Sequence, residues 1–144
     1  MQVFDAATFA GPSIIGISGP GEWPYATNVA ISPDGKRTYA IVGPVAWAPY
    51  QDSVSISVID SDPTSATYNT QIATITLPGA IDVAFSPDSR IAYVLTNDRK
   101  TVRVMDTATN SVVGYFSVTG AASIAVAPNG TVYLTDSAGE SSTR

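Results

Sequence analysis

Cysteine and histidine are both missing from the 144 residues. Without cysteine there are no disulfides and no thiolate metal sites, and without histidine a Ser-His-Asp arrangement cannot be built and the commonest general base is gone. Lysine and arginine number 7 against 12 Asp and Glu, which leaves a net charge of −5. The few basic residues are scattered, so the chain lacks the positive footprint that nucleic-acid backbones or anionic membranes require. No apolar run approaches the roughly 18 residues of a spanning helix, and no basic segment followed by an apolar stretch opens the chain. The expectation is therefore a soluble chain with no signal peptide of its own, no membrane insertion and no nucleic-acid partner. Nucleophile-elbow, dinucleotide and phosphate-loop motifs are missing too, so no catalytic residue, cofactor or metal ligand is assigned. A composition rich in Ser, Thr, Ala, Val and Gly resembles that of exported bacterial proteins, and a secreted or cell-surface origin is expected on that ground.

What is present is a repeat. The stretch VAFSPDSRIAYVLTNDRKTVRVMD, from Val83 to Asp106, recurs upstream as VAISPDGKRTYAIV from Val29 and downstream as IAVAPNGTVYLTD from Ile124. Each copy is an alternating apolar run, a Pro-Asp or Pro-Asn turn and a second alternating run, which is the pattern of a β-hairpin. The second half of the unit also recurs: a short apolar strand closes on Asp5, Asp60 or Asp106, and a polar turn leads onward. Val83 and Ile124 stand about 40 residues apart, the length of a propeller-blade repeat of four strands. No window shows a sustained 3.6-residue period, so an all-β chain of four-stranded antiparallel blades is predicted.

The motifs SPDGKRTYAIV, SPDSRIAYVLTNDRKTVRVMDTATNSVVG and APNGTVYLTD resemble the YVTN-type β-propeller repeats of bacterial and archaeal surface and exported proteins. That family is related to lactonase-like seven-bladed propellers. Residues 1–18 read as strands c and d of a split blade, 26–77 and 80–118 as full blades, 121–136 as strands a and b of a second split blade, and 137–144 as a flexible tail. The chain thus holds about three blade-equivalents. Two incomplete sheets invite pairing with a second copy in a closed six-bladed homodimer, the Ser123–Thr135 hairpin of each copy meeting the Val3–Ser18 hairpin of the other. The alternative is that the remainder of a longer propeller completes them.

Side chains alternate faces along a strand. On the innermost strands Asn28, Asp82 and Ser123 share one face and are expected to line the axis, while Val29/Ile31, Val83/Phe85 and Ile124/Val126 pack between blades. A blade meander brings its d-to-a and b-to-c connections to one end. There Trp23, Tyr25, Trp47 and Tyr50, with Asn97, Asp98 and Arg99, form a candidate ligand-binding rim for a protein or glycan. The competing reading is that these aromatics pack down over blade edges or fill an interface between chains. The expected function is a non-enzymatic binding or scaffold module. The lactonase-like resemblance implies an alternative, a metal-dependent hydrolase with Asn28 and Asp82 at a central site. Asp60 and Asp62 form the one local carboxylate pair that could approach calcium, although the repeat position of Asp60 favours a turn-forming role.

Overall fold

The computed structural model describes residues 1–3, 5, 7–8, 13–19, 25–43, 54–136 and 141–143. Two four-stranded antiparallel meanders carry the fold. The first consists of β3 (Tyr25–Ile31), β4 (Arg37–Gly43), β5 (Ser55–Asp60) and β6 (Thr70–Thr76), and the second of β7 (Ala80–Phe85), β8 (Ile91–Thr96), β9 (Thr101–Asp106) and β10 (Ser111–Ser117). Each is a complete blade whose strands a to d follow chain order. A two-stranded sheet, β1 (Gln2–Val3) with β2 (Ser13–Ile14), precedes them, and a three-stranded one, β11 (Ala121–Val126), β12 (Val132–Asp136) and β13 (Ser141–Thr143), follows. The a strands β3, β7 and β11 lie side by side. This is the radial arrangement that the repeat predicts.

The core is built between blades rather than within them. Tyr39, Ile41, Ile56 and Val58 of the first blade meet Val83, Phe85, Ala92 and Val94 of the second. Leu95 and Val102, from the opposite face of the second blade, meet Ile124, Val132 and Leu134. Ile15 after β2 covers Ala40, Val42 and Ile59. The third strand of the first blade is therefore covered on both faces; every residue of Ser55–Asp60 is buried, with the second blade on one side and Met1, Val3, Ile15 and Ile17 on the other.

The turns between strands a and b explain why the hairpin motif repeats. Ser32 Oγ donates to Asp34 Oδ1 at 2.6 Å and accepts from Arg37 N at 3.0 Å; Ser86, Asp88 and Ile91 repeat both bonds at 2.6 and 3.0 Å. Gly35, Ser89 and Gly130 all hold positive φ, at 74°, 63° and 87°, so the motif's Gly supplies a left-handed position that Ser89 adopts despite its Cβ. Ser89 also accepts from Asp34 N of the first blade at 3.0 Å. Its hydroxyl joins one turn to the next.

Two expectations are corrected. The tail expected to fray supplies β13, whose Thr143, Ser142 and Ser141 pair with Tyr133, Leu134 and Thr135; an open strand edge is a template that the returning chain satisfies. Val29 and Ile31, expected between blades, are 52% and 63% exposed. Their counterparts Val83 and Phe85 are buried, since a whole blade lies against those two, whereas among the described residues the first two strands bring only Met1, Gln2, Val3 and Ile15 beside Val29 and Ile31.

Candidate functional site

At the centre, three residues from three sheets meet on one carboxylate. Asp82 Oδ1 accepts from Asn28 Nδ2 at 2.6 Å and from Val83 N at 2.9 Å, while Oδ2 accepts from Ser123 Oγ at 2.7 Å and from Ile124 N at 2.9 Å. Asn28 is held in turn, its Oδ1 accepting from Val29 N at 2.7 Å. The backbone aims all three side chains by one device. In each a–b pair the register shifts just before the residue concerned, between Ala26 and Asn28, between Ala80 and Asp82, and between Ala121 and Ser123. One unopposed residue per strand makes a bulge, which re-aims the side chain that follows. Both oxygens of Asp82 are thus filled by protein donors, an arrangement that ties blades together and leaves no lone pair held open toward a reactant or an ion.

The rim residues divide. Trp23, Trp47 and Tyr50 lie outside the described residues. Tyr25 begins β3 and is partly exposed. Asn97, Asp98 and Arg99 form the tight b–c turn of the second blade, and its backbone is gripped by both flanking d–a connections: Asn97 N donates to Gly79 O at 2.7 Å, Ala121 N to Arg99 O at 2.9 Å, and Val118 N to Lys100 O at 2.8 Å. The two kinds of connection do share one end. Gly79, at φ 79°, is the close approach that permits this, since a Cβ there would stand 2.7 Å from Asn97 Oδ1. Asp98 is engaged within its own turn. It accepts from Lys100 N, Thr101 N, Thr96 Oγ1 and Thr101 Oγ1 at 2.9, 3.1, 2.8 and 2.8 Å, and these bonds, led by the Lys100 amide, hold its carboxyl down at about 2. Asn97 and Arg99 remain exposed at the turn.

The opposite end settles the reading of the Asp60 pair. Asp60 Oδ2 accepts from Ser65 Oγ at 2.5 Å and Thr67 Oγ1 at 2.6 Å, Oδ1 accepts from Asp62 N at 3.0 Å, and Arg37 Nη1 stands 3.6 Å away. Asp5 and Asp106 bond the amides two and three residues on in the same manner, so the repeat position makes turns. Asp62 is spent on Thr64, through its amide at 2.9 Å and hydroxyl at 2.7 Å. The Ser65 and Thr67 hydroxyls above all hold Asp60 at about 2, against an ordinary 3.8. A carboxyl depressed in the folded chain contributes stability above its unfolded value and loses it as pH falls through the folded one. Acid titration is accordingly expected to weaken the chain from about pH 3.8 down to about 2. Circular dichroism during denaturant melts checks this: Asp60→Asn and Asp98→Asn should each flatten the decline, and a slope unchanged in both variants would contradict the assignment.

One feature escaped the sequence reading. Tyr39 is fully buried, its ring edge-on to Phe85 at a centroid separation of 4.9 Å and its hydroxyl donating to Asn110 Oδ1 at 2.8 Å; burial pushes its phenol up to about 12. The signal was available in the repeat. Tyr39, Tyr93 and Tyr133 occupy one position, opposite Ala30, Ala84 and Ala125, and Asn69 and Asn110 both precede a d strand with positive φ, at 59° and 54°. A cavity of about 530 Å³ opens beside Ile31 and Asn69, lined also by Met1, Val3, Ile15 and Val29.

No family model and no curated protein matches the chain. Solved structures do. Hydrazine synthase of Kuenenia stuttgartiensis aligns with a TM-score of 0.61 at 18% identity, over 84% of this chain and 32% of that one. Dihydro-heme d1 dehydrogenase NirN aligns with a TM-score of 0.61 at 17% identity, over 93% and 27%. The WD40 domain of Toxoplasma gondii coronin aligns with a TM-score of 0.52 at 14% identity, over 82% and 30%. The chain spans roughly a third of the length of these structures, and at such identities the likeness carries the fold alone. With the radial order of β3, β7 and β11, it shows what the chain is: an all-β segment of a β-propeller.

Proposed function

We propose that this chain is a non-enzymatic binding or scaffold segment of a YVTN-type propeller from an exported or cell-surface protein, with its ligand, a protein or glycan, taken at the end where d–a and b–c connections gather. One observation carries the reading: Asp82, the acid best placed for central chemistry, has all four of its hydrogen bonds filled from within the fold. A general base or metal ligand needs an accessible lone pair. Binding at a loop end needs none, and Gly- and Pro-punctuated loops carrying aromatics supply rigid contact area at small entropic cost.

The sequence puts both tryptophans, Trp23 and Trp47, in connections of those two kinds, so intrinsic fluorescence is the probe. Glycan and peptide arrays should yield a partner whose titration changes the tryptophan emission. Trp23→Ala and Trp47→Ala should each weaken that partner roughly tenfold or more. Metal-dependent lactone hydrolysis that is lost in Asp82→Asn would overturn the proposal in favour of the central-site alternative, and a partner indifferent to both tryptophans would overturn the loop-end site.

A further inference from the structure

The blade interface supplies its own template for what covers the exposed Val29–Ile31 face. Between the first and second blades, Tyr39 stands on Phe85 and donates its hydroxyl to Asn110. The first blade carries the same socket one repeat earlier. Ile31 stands where Phe85 stands, Asn69 where Asn110 does, and both line the open cavity, together with Ser61, whose buried Oγ has no hydrogen-bond partner among the described residues. At the far end of the chain, the third tyrosine of the repeat, Tyr133 on β12, is 47% exposed. A socket with no tyrosine and a tyrosine with no socket lie at opposite ends of one molecule.

We infer that the Val29–Ile31–Asn69 socket receives Tyr133 from a second copy of this chain, each copy giving one tyrosine and offering one socket. The ring packs on Ile31, and the hydroxyl donates to Asn69 as that of Tyr39 donates to Asn110. The surface is continuous with an interface already formed: Met1, Val3 and Ile15, which line the cavity, also pack with Ala40, Val42 and Ile59 of the first blade. β1 and β2 thus hold the places of strands c and d of a blade whose strands a and b come from β11 and β12 of the other copy. Two equivalent contacts related by a twofold axis close the ring. In closing it, β1 of the other copy takes the edge of β12 that β13 holds through three residue pairs in the single chain. This inference is independent of the loop-binding reading, since it concerns the blade faces and not the rim.

The test uses the full chain, with oligomeric state measured by sedimentation velocity over a concentration series. The wild type should dimerise. Ile31→Glu, at a side chain already exposed to solvent, should abolish dimerisation while leaving the monomer's circular dichroism and melting temperature unchanged. Tyr133→Phe should weaken association about thirtyfold, through two lost hydrogen bonds, one at each of the two contacts. Because the chain has no cysteine of its own, Ile31→Cys and Tyr133→Cys mixed with a short bismaleimide should give a covalent dimer that neither variant gives alone. A wild type that stays monomeric at every concentration overturns the inference. So does a dimer unaffected by Ile31→Glu, or a mixture that yields no cross-linked product.

Discussion

Tyr39→Ala should lower the free energy of unfolding by about 3–5 kcal/mol, the range for removing a large buried aromatic whose space cannot close. Such a loss would consume much of the 5–15 kcal/mol margin typical of a folded domain. Tyr39 has no exposed surface, packs edge-on against Phe85 of the next blade and bonds Asn110 beyond it, so one side chain fastens two sheets in two ways. Tyr39→Phe isolates the second: the ring stays, Asn110 Oδ1 loses its donor, and about 1 kcal/mol should go. The repeat supplies an internal control. Tyr93, half-buried with its ring 6.3 Å from Phe116, should give an intermediate loss on truncation to alanine. Tyr133→Ala should fall within about 1 kcal/mol of wild type where the chain is monomeric. Urea unfolding of the three variants checks the order. Equal losses at all three positions would mean that the blade interface is not what fixes a tyrosine's worth.

Asp82→Ala is expected to cost about 3 kcal/mol. Hydrogen bonds to a charged group are worth about 1.5–3 kcal/mol each when lost singly, though bonds sharing one carboxylate do not add in full. The substitution also strands the backbone amides of Val83 and Ile124, each of which now donates to this carboxylate, and leaves the Asn28 amide with its longer bond to Ile81 O at 3.4 Å. Asp82→Asn keeps one acceptor oxygen and should lose about half as much. Ser123→Ala, at an exposed hydroxyl, should cost about 1 kcal/mol or less. The gradient follows the number of sheets that each residue joins.

Much of the architecture was legible because it is repetitive and local. Ile91–Thr96 and the Asp-terminated strands ending at Asp60 and Asp106 follow from period-two alternation and from a turn chemistry that Ser32 and Ser86 write twice. Alternation also placed Asn28, Asp82 and Ser123 on one face. What it could not show is that their side chains bond one another, because that depends on a bulge before each of them, at positions 27, 81 and 122, and an unopposed residue has no composition of its own. Asp98 is a candidate ligand contact in the sequence because turn acids and binding acids share one chemistry; the four donors that hold its carboxylate within the turn are visible in the structure alone. Likewise Val29 and Ile31 look like core to any reading of pattern, and their exposure reflects which sheet stands beside them, a property of the whole arrangement. β13 went unseen for the opposite reason: three short polar residues carry no apolar alternation, and the edge of β12 does the selecting.

Asp82 as a structural tie between blades is best tested by a double-mutant cycle across the blade boundary, with Asn28→Ala, Asp82→Ala and the double variant unfolded in urea under identical conditions. Asn28 and Asp82 sit in different sheets and are joined by the 2.6 Å bond between their side chains. The tie predicts a coupling of about 1–2 kcal/mol, with the double variant hardly less stable than Asp82→Ala alone. Strictly additive losses, or an Asp82→Ala protein as stable as wild type, would contradict it.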